Sequence, residues 1–377
     1  MSSVARKAAT TVYTRAVKPV IFTMHPDKVH DDMITHGSWI QKIRPVMAVA
    51  EALLTYDHPA LVTEAHGLTL RNPIGLAAGL DKNIAIPGIL QMTGFGFLTF
   101  GSVTSRVCEG NPRPWFHRLP EQQSLVVHVG LANGGVQKVA ARLRELNDGR
   151  HSRYTKLPYK MSVARTNDTL TGDVAEGVDD YVKSVTALAG LSALLELNVS
   201  CPNTTVGEAF TTPNALDALL TAVDEVAPPQ PITLKMPCDR PWSEFKELLD
   251  VAAAHRVHGL TIANLRKDRD GIPLADDVKG NLSGKPTSAV STELIRQTYL
   301  ATGDRFVIAG VGGVFTGADA YEKITAGATL IELVSGLIFR GPAVVGTIAQ
   351  ELVKLAQADG FARVQDAVGS RADVAAV

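Results

Sequence analysis

The sequence of 377 residues contains little cysteine, almost no net charge and no long apolar run. Cys108, Cys201 and Cys238 are too few to form a disulfide scaffold, which indicates a reducing compartment. Lys and Arg total 37 while Asp and Glu total 38, which excludes nucleic-acid binding driven by overall positive charge. Neither a run of about 18 apolar residues nor a secretory signal is found, so we expect no spanning helix. The chain is predicted to be cytoplasmic, or peripheral on the cytoplasmic side of a membrane.

What the sequence does contain is enough apolar material for a large core. Hydrophobic residues make up 45% and charged residues 20%, which excludes a disordered chain. Up to about Thr69 the texture is helical, and one helix face recurs at Met33, Gly37, Ile40, Met47, Ala50 and Leu54. Pro45 interrupts this face, so two short helices are predicted rather than one.

This first segment carries a mild excess of positive charge. Between Met1 and Tyr56, seven Lys or Arg residues stand against four Asp or Glu residues. One interpretation is a small helical cap on a larger domain. The other is an amphipathic element that lies in a membrane interface. We divide the chain into a helical extension over residues 1–60 and a larger domain over residues 61–377.

From Asn72 onward, short β-rich runs alternate with longer stretches. Eight strands are predicted, at residues 73–78, 97–101, 159–164, 193–199, 231–236, 258–263, 305–310 and 329–333. Strands that alternate with helices form parallel βαβ units, and eight such units fit an α/β fold of the closed (β/α)8, or TIM, barrel type. An open doubly wound sheet is the alternative. It would need a glycine-rich dinucleotide turn after the first strand, where this chain has Ala78-Gly79-Leu80-Asp81-Lys82.

Polar residues and glycines follow most of the predicted strands, at the end where a barrel carries its active site. The seventh strand runs into Gly310-Val311-Gly312-Gly313, and the eighth runs into Val334-Ser335-Gly336. Many barrels bind phosphate with the loops after these two strands, because glycine lets the backbone approach an anion closely. The two segments together predict a phosphate-bearing ligand. Read alone, each is compatible with a tight turn.

The densest polar cluster is Asn198-Val199-Ser200-Cys201-Pro202-Asn203-Thr204. The amides of Asn198 and Asn203 suit a planar, imide-like or carboxylate ligand. Cys201 is either a small core residue or, given its position after a strand, a reactive group whose pKa must suit acid–base work. Lys82 and Lys235 also follow strands, where a lysine can meet a negative charge. Cys108 and Cys238 are predicted core residues, and no Cys or His spacing suggests a metal.

Several of these motifs resemble the dihydroorotate dehydrogenase family, in the right order and over residues 58–361. The matching segments are residues 72–82, 110–114, 118–120, 198–204, 282–286, 310–313 and 341–342. The resemblance implies a barrel that holds FMN and oxidises dihydroorotate to orotate in pyrimidine biosynthesis. In this family a base removes the C5 proton while hydride leaves C6 for the flavin. The helical extension is similar to that of the membrane-associated class 2 enzymes, which guides a quinone to the flavin.

The resemblance also implies roles for individual residues. The FMN contacts would be Ala78, Gly79, Ser102, Ser162, Asn198, Lys235, Ala263, Gly284, Gly313, Val334 and Ser335. The substrate contacts would be Lys82, Asn198, Asn203 and Asn264. Cys201 occupies the position of the base, and the loop over residues 206–213 is expected to act as a lid. The implied partners are dihydroorotate or orotate, a quinone, and a membrane surface contacted through the N-terminal helices.

The chain departs from the family pattern at several positions. Serine is the usual base of class 2 enzymes, whereas cysteine is typical of class 1. Val127 and Leu131 stand where the family has a substrate-binding Asn and a Phe. Ser162 replaces an FMN-contacting Asn, and Leu265 replaces a substrate-contacting Thr. Two alternatives therefore remain: a related flavoenzyme that uses another dihydropyrimidine or fumarate, and a flavin-binding barrel without activity.

Overall fold

The N-terminal part of the chain is helical. A computed structural model describes residues 3–148, 156–168, 173–205 and 207–373 of the protein. The first helices are α1 (Ser3–Val12), α2 (Lys18–Thr23), α3 (Pro26–Ile40) and α4 (Arg44–Leu54), with a π-helical turn at Tyr13–Val17. The predicted break into two short helices is confirmed. Helix α3 ends at Ile40, and Pro45 lies in the first turn of α4. The missing N–H of a proline costs no helical hydrogen bond in that turn.

The helical texture predicted up to about Thr69 ends earlier, and this expectation was wrong. After α4 the chain forms a hairpin of strands β1 (Thr63–Ala65) and β2 (Leu68–Leu70). The turn is made by His66 and Gly67, whose φ values of 54° and 75° fit a two-residue hairpin connection. The hairpin closes one end of the large domain, where Ala65 and Leu70 pack against Phe97, Ala309 and Leu330.

Eight parallel strands then close into a barrel, which confirms the predicted fold class and excludes the open sheet. The remaining strands are β3 (Ile74–Leu76), β4 (Phe97–Val103), β5 (Phe116–Leu119), β6 (Ser124–Val127), β7 (Tyr159–Val163), β8 (Leu194–Asn198), β9 (Ile232–Lys235), β10 (Val257–Ile262), β11 (Asn281–Leu282), β12 (Val307–Val311) and β13 (Leu330–Leu333). The barrel order is β3, β4, β7, β8, β9, β10, β12 and β13. Closure is made by β13 and β3, where Ile331 lies beside Ile74.

A second sheet, which was not predicted, lies beside the barrel. Strand β6 pairs antiparallel with both β5 and β11. Strands β5 and β6 belong to the connection between β4 and β7, whereas β11 lies between β10 and β12. Because β11 is two residues long and distant in sequence, local patterns do not indicate its pairing.

Helices surround the barrel on its outside. They are α5 (Pro87–Gln91), α6 (Val136–Asn147), α7 (Val174–Leu188), α8 (Pro213–Val226), α9 (Trp242–Ala254), α10 (Ser288–Thr302), α11 (Gly317–Ala326), α12 (Ser335–Arg340) and α13 (Val344–Ala358). Helix α11 begins with a capping box, in which Thr316 and Asp319 each accept the other's backbone N–H. Helix α8 buries Leu216, Leu219 and Leu220, and each such leucine contributes roughly 1.5–3 kcal/mol. Within the described ranges, no helix is both long and apolar enough to cross a membrane.

The strand alternation divides the barrel interior into layers. Outward-facing side chains such as Leu195 and Leu197 pack in the main core with the helices. The inward side chains nearest the β1–β2 hairpin include the apolar Phe97, Ala309 and Leu330. Above them comes a layer of buried polar residues, which we call the charged layer: Thr99, Lys160, Glu196, Thr261 and Glu332. The next inward side chains, at the carboxyl ends of the strands, include Ser102, Asn198 and Lys235.

Candidate active site

A cavity of about 400 Å³ lies at the carboxyl ends of the barrel strands. The strand ends line one side, β5 and β6 line a second, and α3 and Tyr13 line a third. This is the end at which (β/α)8 barrels carry their active sites. The polar rim predicted from the sequence is therefore the wall of one cavity.

The predicted site residues converge on this cavity with one exception. Those that line it are Ala78, Gly79, Lys82, Ser102, Asn198, Cys201, Asn203, Lys235, Ala263, Asn264, Gly284, Gly313, Val334 and Ser335. Ser162 does not, because it is completely buried and its Oγ lies 2.8 Å from Ser102 Oγ. The hydroxyl of Ser102 stands between Ser162 and the cavity, so direct contact of Ser162 with a ligand is not supported. Val206, where the predicted lid begins, lies outside the described residues.

A chain of hydrogen bonds fixes the amides in the centre of the site. Asn198 Nδ2 donates to Ser102 Oγ at 2.8 Å. Asn264 Nδ2 donates to Asn198 Oδ1 at 3.1 Å and to the carbonyl oxygen of Ser200 at 2.9 Å. Because each amide is held by a neighbour, its donor and acceptor edges are oriented before any ligand binds.

Asn203 is held by residues that sequence reasoning missed. Asn281 Nδ2 donates to Asn203 Oδ1 at 2.6 Å, and Asn111 Nδ2 donates to the Asn203 carbonyl oxygen at 3.0 Å. His128 also forms a side-chain hydrogen bond with Asn203, and burial lowers the pKa of that imidazole. The signal for Asn111 was available in the Gly110-Asn111-Pro112-Arg113-Pro114 motif, whereas Asn281 is brought in only by the pairing of β11 with β6.

Cys201 and Lys82 form the reactive part of the site. Cys201 is half-buried, and burial raises the pKa of its thiol. The backbone N–H of Asn203 and the cations Lys235 and Lys82 oppose that shift, because they stabilise a thiolate. Burial lowers the pKa of Lys82 to about 8, and its Nζ donates to the Gly79 carbonyl oxygen at 2.9 Å. A thiol and an ammonium of this kind can exchange a proton and bind an anion.

The glycine-rich end of the cavity fits an anion. Gly312 has a φ of 109°, and a Cβ there would lie 2.5 Å from Thr287 Oγ1. Gly313 has a φ of 71°, so neither position accepts a side chain without strain. Nearby, Ser283 Oγ and Ser335 Oγ lie 3.1 Å apart. Hydroxyls and close backbone N–H groups are the usual ligands of a phosphate.

The helical extension is attached to the second sheet beside the cavity. The Asp27 carboxylate accepts the backbone N–H groups of Trp115 and Phe116 at 2.9 and 3.1 Å. Arg118 Nη1 donates to the Met24 carbonyl oxygen at 2.7 Å. Tyr13 Oη donates to the Ile338 carbonyl oxygen at 2.7 Å. These contacts, which no sequence pattern predicted, hold the helical extension beside the cavity.

The other cysteines lie outside this chemistry. Cys108 is 6% exposed and Cys238 is 2% exposed, so their assignment to the core is confirmed. In the part of the chain that the structure describes, no three His, Cys, Asp or Glu side chains are grouped to hold a metal ion.

The fold and the site together define a (β/α)8-barrel protein with a glycine-lined, thiol-containing cavity that is partly closed by an N-terminal helical extension. A family model described as dihydroorotate dehydrogenase matches residues 60–355. The chain therefore belongs to the dihydroorotate dehydrogenase family.

Individual relatives cover nearly the whole chain. A dihydroorotate dehydrogenase (quinone) of Myxococcus xanthus is 37% identical over 359 residues, which are 94% of this chain and 96% of the relative. One of Deinococcus deserti is 33% identical over 372 residues, with 96% and 100% covered. A solved structure of DHODH from Eimeria tenella in complex with ferulenol matches with a TM-score of 0.82 and 27% identity, covering 93% of this chain and 98% of that one.

Proposed function

We propose that the protein oxidises dihydroorotate to orotate, with FMN as its cofactor and a quinone as the final electron acceptor. The observation that carries this proposal is the single cavity that joins Cys201 and Lys82 to α3 and Tyr13. One end offers a base and a cation to a small anionic substrate, whereas the other end is largely apolar. Relatives named dihydroorotate dehydrogenase (quinone) match both the extension and the barrel, which supports the same assignment.

The cavity wall suits FMN. Gly79 has a φ of 123° and open space where a side chain would stand, so a flat ring can approach its backbone. The glycines Gly312 and Gly313 suit the phosphate for the reasons given above. The residues expected to hold FMN are Ala78, Gly79, Ser102, Asn198, Lys235, Ala263, Gly284, Gly313, Val334 and Ser335. When bound, FMN supplies the hydride acceptor that no amino-acid side chain provides.

The remaining polar residues suit the substrate. The Lys82 ammonium pairs with the substrate carboxylate, and the amides of Asn198, Asn203 and Asn264 hydrogen-bond to the edge of its ring. Cys201 removes the C5 proton as a thiolate, and the electron pair of that C–H bond forms the C5=C6 double bond. Hydride leaves C6 at the same time. Lys82 and Lys235 stabilise the thiolate that this step needs.

The apolar end of the cavity suits a quinone. Ile21, Val29, Met33, Ile89 and Leu90 line it, and all belong to the extension or to the neighbouring α5 region. His30 and Arg118 add polar groups there, which suit the carbonyl oxygens of a quinone ring. Electrons that enter at the Cys201 end therefore have an acceptor site within the same cavity.

A membrane surface is the proposed source of that quinone. Of the fifteen exposed large apolar side chains in the described ranges, twelve lie between Val4 and Leu53. Within this group of twelve, the most exposed side chains are Trp39 at 72% and Val4 at 69%. An apolar face of this kind with basic neighbours such as Arg44 is typical of helices that lie in a membrane interface. The protein is thus proposed to be peripheral, on the cytoplasmic side.

The decisive test is the visible spectrum of the purified protein with and without dihydroorotate, followed by steady-state assays. We expect a bound flavin that bleaches on addition of dihydroorotate. Turnover is expected with a ubiquinone analogue or menadione. Turnover with fumarate alone would overturn the quinone assignment. A flavin that stays oxidised with every donor would favour a barrel without activity.

One observation favours a second candidate, a related dihydropyrimidine as substrate. Val127, Leu131 and Leu265 all line the cavity and contribute only apolar side chains to it. A substrate with fewer polar groups would lose less hydrogen bonding there than dihydroorotate. Stopped-flow bleaching decides between the two: dihydroorotate must reduce the flavin faster than an analogue without the carboxylate, or the second candidate replaces the first.

A further inference from the structure

The charged layer of the barrel contains three ionisable side chains in direct contact. Lys160 Nζ lies 2.9 Å from Glu196 Oε2 and 2.5 Å from Glu332 Oε1. The side chain of Lys160 is 4% exposed, and those of both glutamates are 0% exposed. The Thr261 hydroxyl donates to Glu196 Oε2 at 2.7 Å. Ions buried this deeply are costly unless their charges are balanced, so the composition of the layer matters.

The balance inside the layer is incomplete, because one ammonium faces two carboxylates. Glu196 Oε1 and Glu332 Oε2 are both buried, and neither has a hydrogen-bond partner among the residues that the structure describes. Glu332 also lines the active-site cavity. One carboxylate oxygen of Glu332 therefore has no hydrogen-bond donor, and its side chain borders the cavity in which a cofactor would bind.

Lys235 is a further cation that acts on both carboxylates of the layer. It lies on β9, where it is paired with Asn198 on one side and with Thr261 on the other, and its side chain lines the cavity. Its charge favours the ionised form of both Glu196 and Glu332. Lys235 is 7% exposed, so it too depends on a nearby negative charge.

We propose that the charged layer tunes the redox cofactor from inside the barrel: Glu332 and Lys235 both reach the cavity wall, and the net charge of the layer together with Lys235 sets the equilibrium constant for flavin reduction. This inference rests on the proposed function, because it assumes that a flavin occupies the cavity. Glu332 and Lys160 are positioning residues in this scheme. A negative charge close to the flavin disfavours the addition of electrons, and a positive charge favours it.

The two carboxylates divide the charge unequally. Burial opposes the ionisation of Glu196, but Lys160 and Lys235 hold its pKa at about 2, so it is the anion that pairs with Lys160. Burial raises the pKa of Glu332 against the same two cations, so Glu332 keeps its proton to a higher pH. The other groups on the neighbouring elements are Thr99 and Thr261, and His66 on the hairpin below.

The charge of the region therefore depends on pH through Glu332. Burial, together with Lys160 and His258, lowers the pKa of His66 to about 4, so His66 is neutral throughout the useful range. With Glu332 protonated, Lys160, Lys235 and Glu196 sum to one positive charge. With Glu332 ionised, the sum is zero. The flavin should consequently become harder to reduce as Glu332 loses its proton.

The test is the midpoint potential of the FMN-loaded protein against reference dyes as a function of pH. Glu332→Gln keeps the size of the side chain and removes its charge. We expect the variant to match the wild type where Glu332 is protonated and to show about a tenfold larger equilibrium constant for reduction where Glu332 is ionised, or about 30 mV for two electrons. The control is Glu351→Gln. Glu351 lies on the outside of the barrel, where its carboxylate accepts the Gly317 N–H, so this variant should change neither the midpoint potential nor its pH dependence.

A second variant, for which we expect the equilibrium constant for reduction to change in the opposite direction, provides an independent test. Lys160→Met leaves both carboxylates without their cation, so the equilibrium constant for reduction should fall and the dissociation constant of FMN should rise several-fold. If Lys160→Met fails to fold, Glu332→Gln alone decides. If the midpoint potentials of Glu332→Gln and the wild type agree at every pH, this inference alone is overturned. A wild-type protein that binds no FMN overturns it together with the proposed function.

Discussion

The carboxylate of Asp27 accepts the backbone N–H of Trp115 at 2.9 Å, which joins α3 of the helical extension to the segment that opens β5. The same carboxylate accepts the next N–H along the chain, and Asp27 is only 2% exposed. Phe116 is the first residue of β5, and Trp115 directly precedes it, beside the cavity. The Asp27 side chain therefore helps to fix the position of α3, and with it the width of the apolar end of the cavity.

Replacing Asp27 with Ala should impair the quinone half of the reaction selectively. Two partly buried N–H groups would lose their acceptor, at a cost of up to about 1–3 kcal/mol each. We expect the KM for the quinone to rise several-fold, whereas dihydroorotate should reduce the flavin at an unchanged rate. Steady-state quinone assays and single-turnover flavin reduction measure the two effects. Asp32→Ala, which removes an exposed partner of Lys28, is the control. Slower flavin reduction with an unchanged quinone KM would contradict the prediction.

Cys201→Ala should abolish proton removal and leave the flavin bound. A positioned base contributes typically 10²–10⁴-fold to a rate, so flavin reduction by dihydroorotate should slow by at least about a hundredfold. Cys201→Ser should retain part of the turnover, because a hydroxyl occupies the same position and Lys82 and Lys235 stabilise its anion as well. Stopped-flow absorbance of the flavin measures both variants.

The matched control for that experiment is Cys238→Ala. Cys238 is also buried and follows the end of a barrel strand, but it packs in the main core and not in the cavity. The Cys238→Ala variant should have a slightly lower melting temperature and an unchanged rate of flavin reduction. If Cys201→Ala reduces its flavin as fast as Cys238→Ala, Cys201 is a structural residue.

The pH profile of kcat/KM should carry the signature of Lys82. Burial lowers the pKa of Lys82 to about 8, so the free enzyme loses this charge above pH 8 and binds the substrate carboxylate more weakly. Burial raises the pKa of Cys201, so the thiolate fraction still increases in that range. The two trends oppose each other, and kcat/KM should rise to about pH 8 and then level off.

The Lys82→Arg variant tests whether Lys82 is the group that makes kcat/KM level off. An arginine stays protonated throughout the range, so only the Cys201 trend remains and kcat/KM should continue to rise beyond pH 8. The shape of the profile is compared, because the absolute rate of the variant depends on how well arginine fits. A variant that levels off at the same pH as the wild type would assign the change to another group.

The strands were predictable because each leaves a local signal. A run such as Leu194–Asn198 is apolar on its outward face and bounded by polar residues, and its end places Asn198 at the rim. The position of Cys201 follows from the same argument. The turn of the β1–β2 hairpin also left a signal, since His66-Gly67 lies between short alternating runs, but the helical texture before it outweighed that signal.

The rest depends on contacts between distant segments. Asn281 reaches Asn203 only because β11 pairs with β6, across more than a hundred residues of sequence. Lys160 and Glu332 stand at inward positions of predicted strands, yet their contact across the barrel follows from closure and not from either strand. The family resemblance assigned Ser162 to the cofactor. That Ser102 lines the cavity while Ser162 is buried against it depends on how the two neighbouring strands pack, which the sequence motif does not show.

Gly312→Ala should weaken FMN binding more than it destabilises the fold. At a φ of 109° the new Cβ would lie 2.5 Å from Thr287 Oγ1, so the backbone must move at the expected phosphate site. The strain of such a backbone costs roughly 1–2 kcal/mol. The control is Gly303→Ala, which has a φ of 56° at the end of α10 and open space around it. Both variants should melt earlier, but only Gly312→Ala should raise the dissociation constant of FMN, by about tenfold in a fluorescence titration. Equal FMN affinities in the two variants would show that the glycines after β12 serve the turn and not the phosphate.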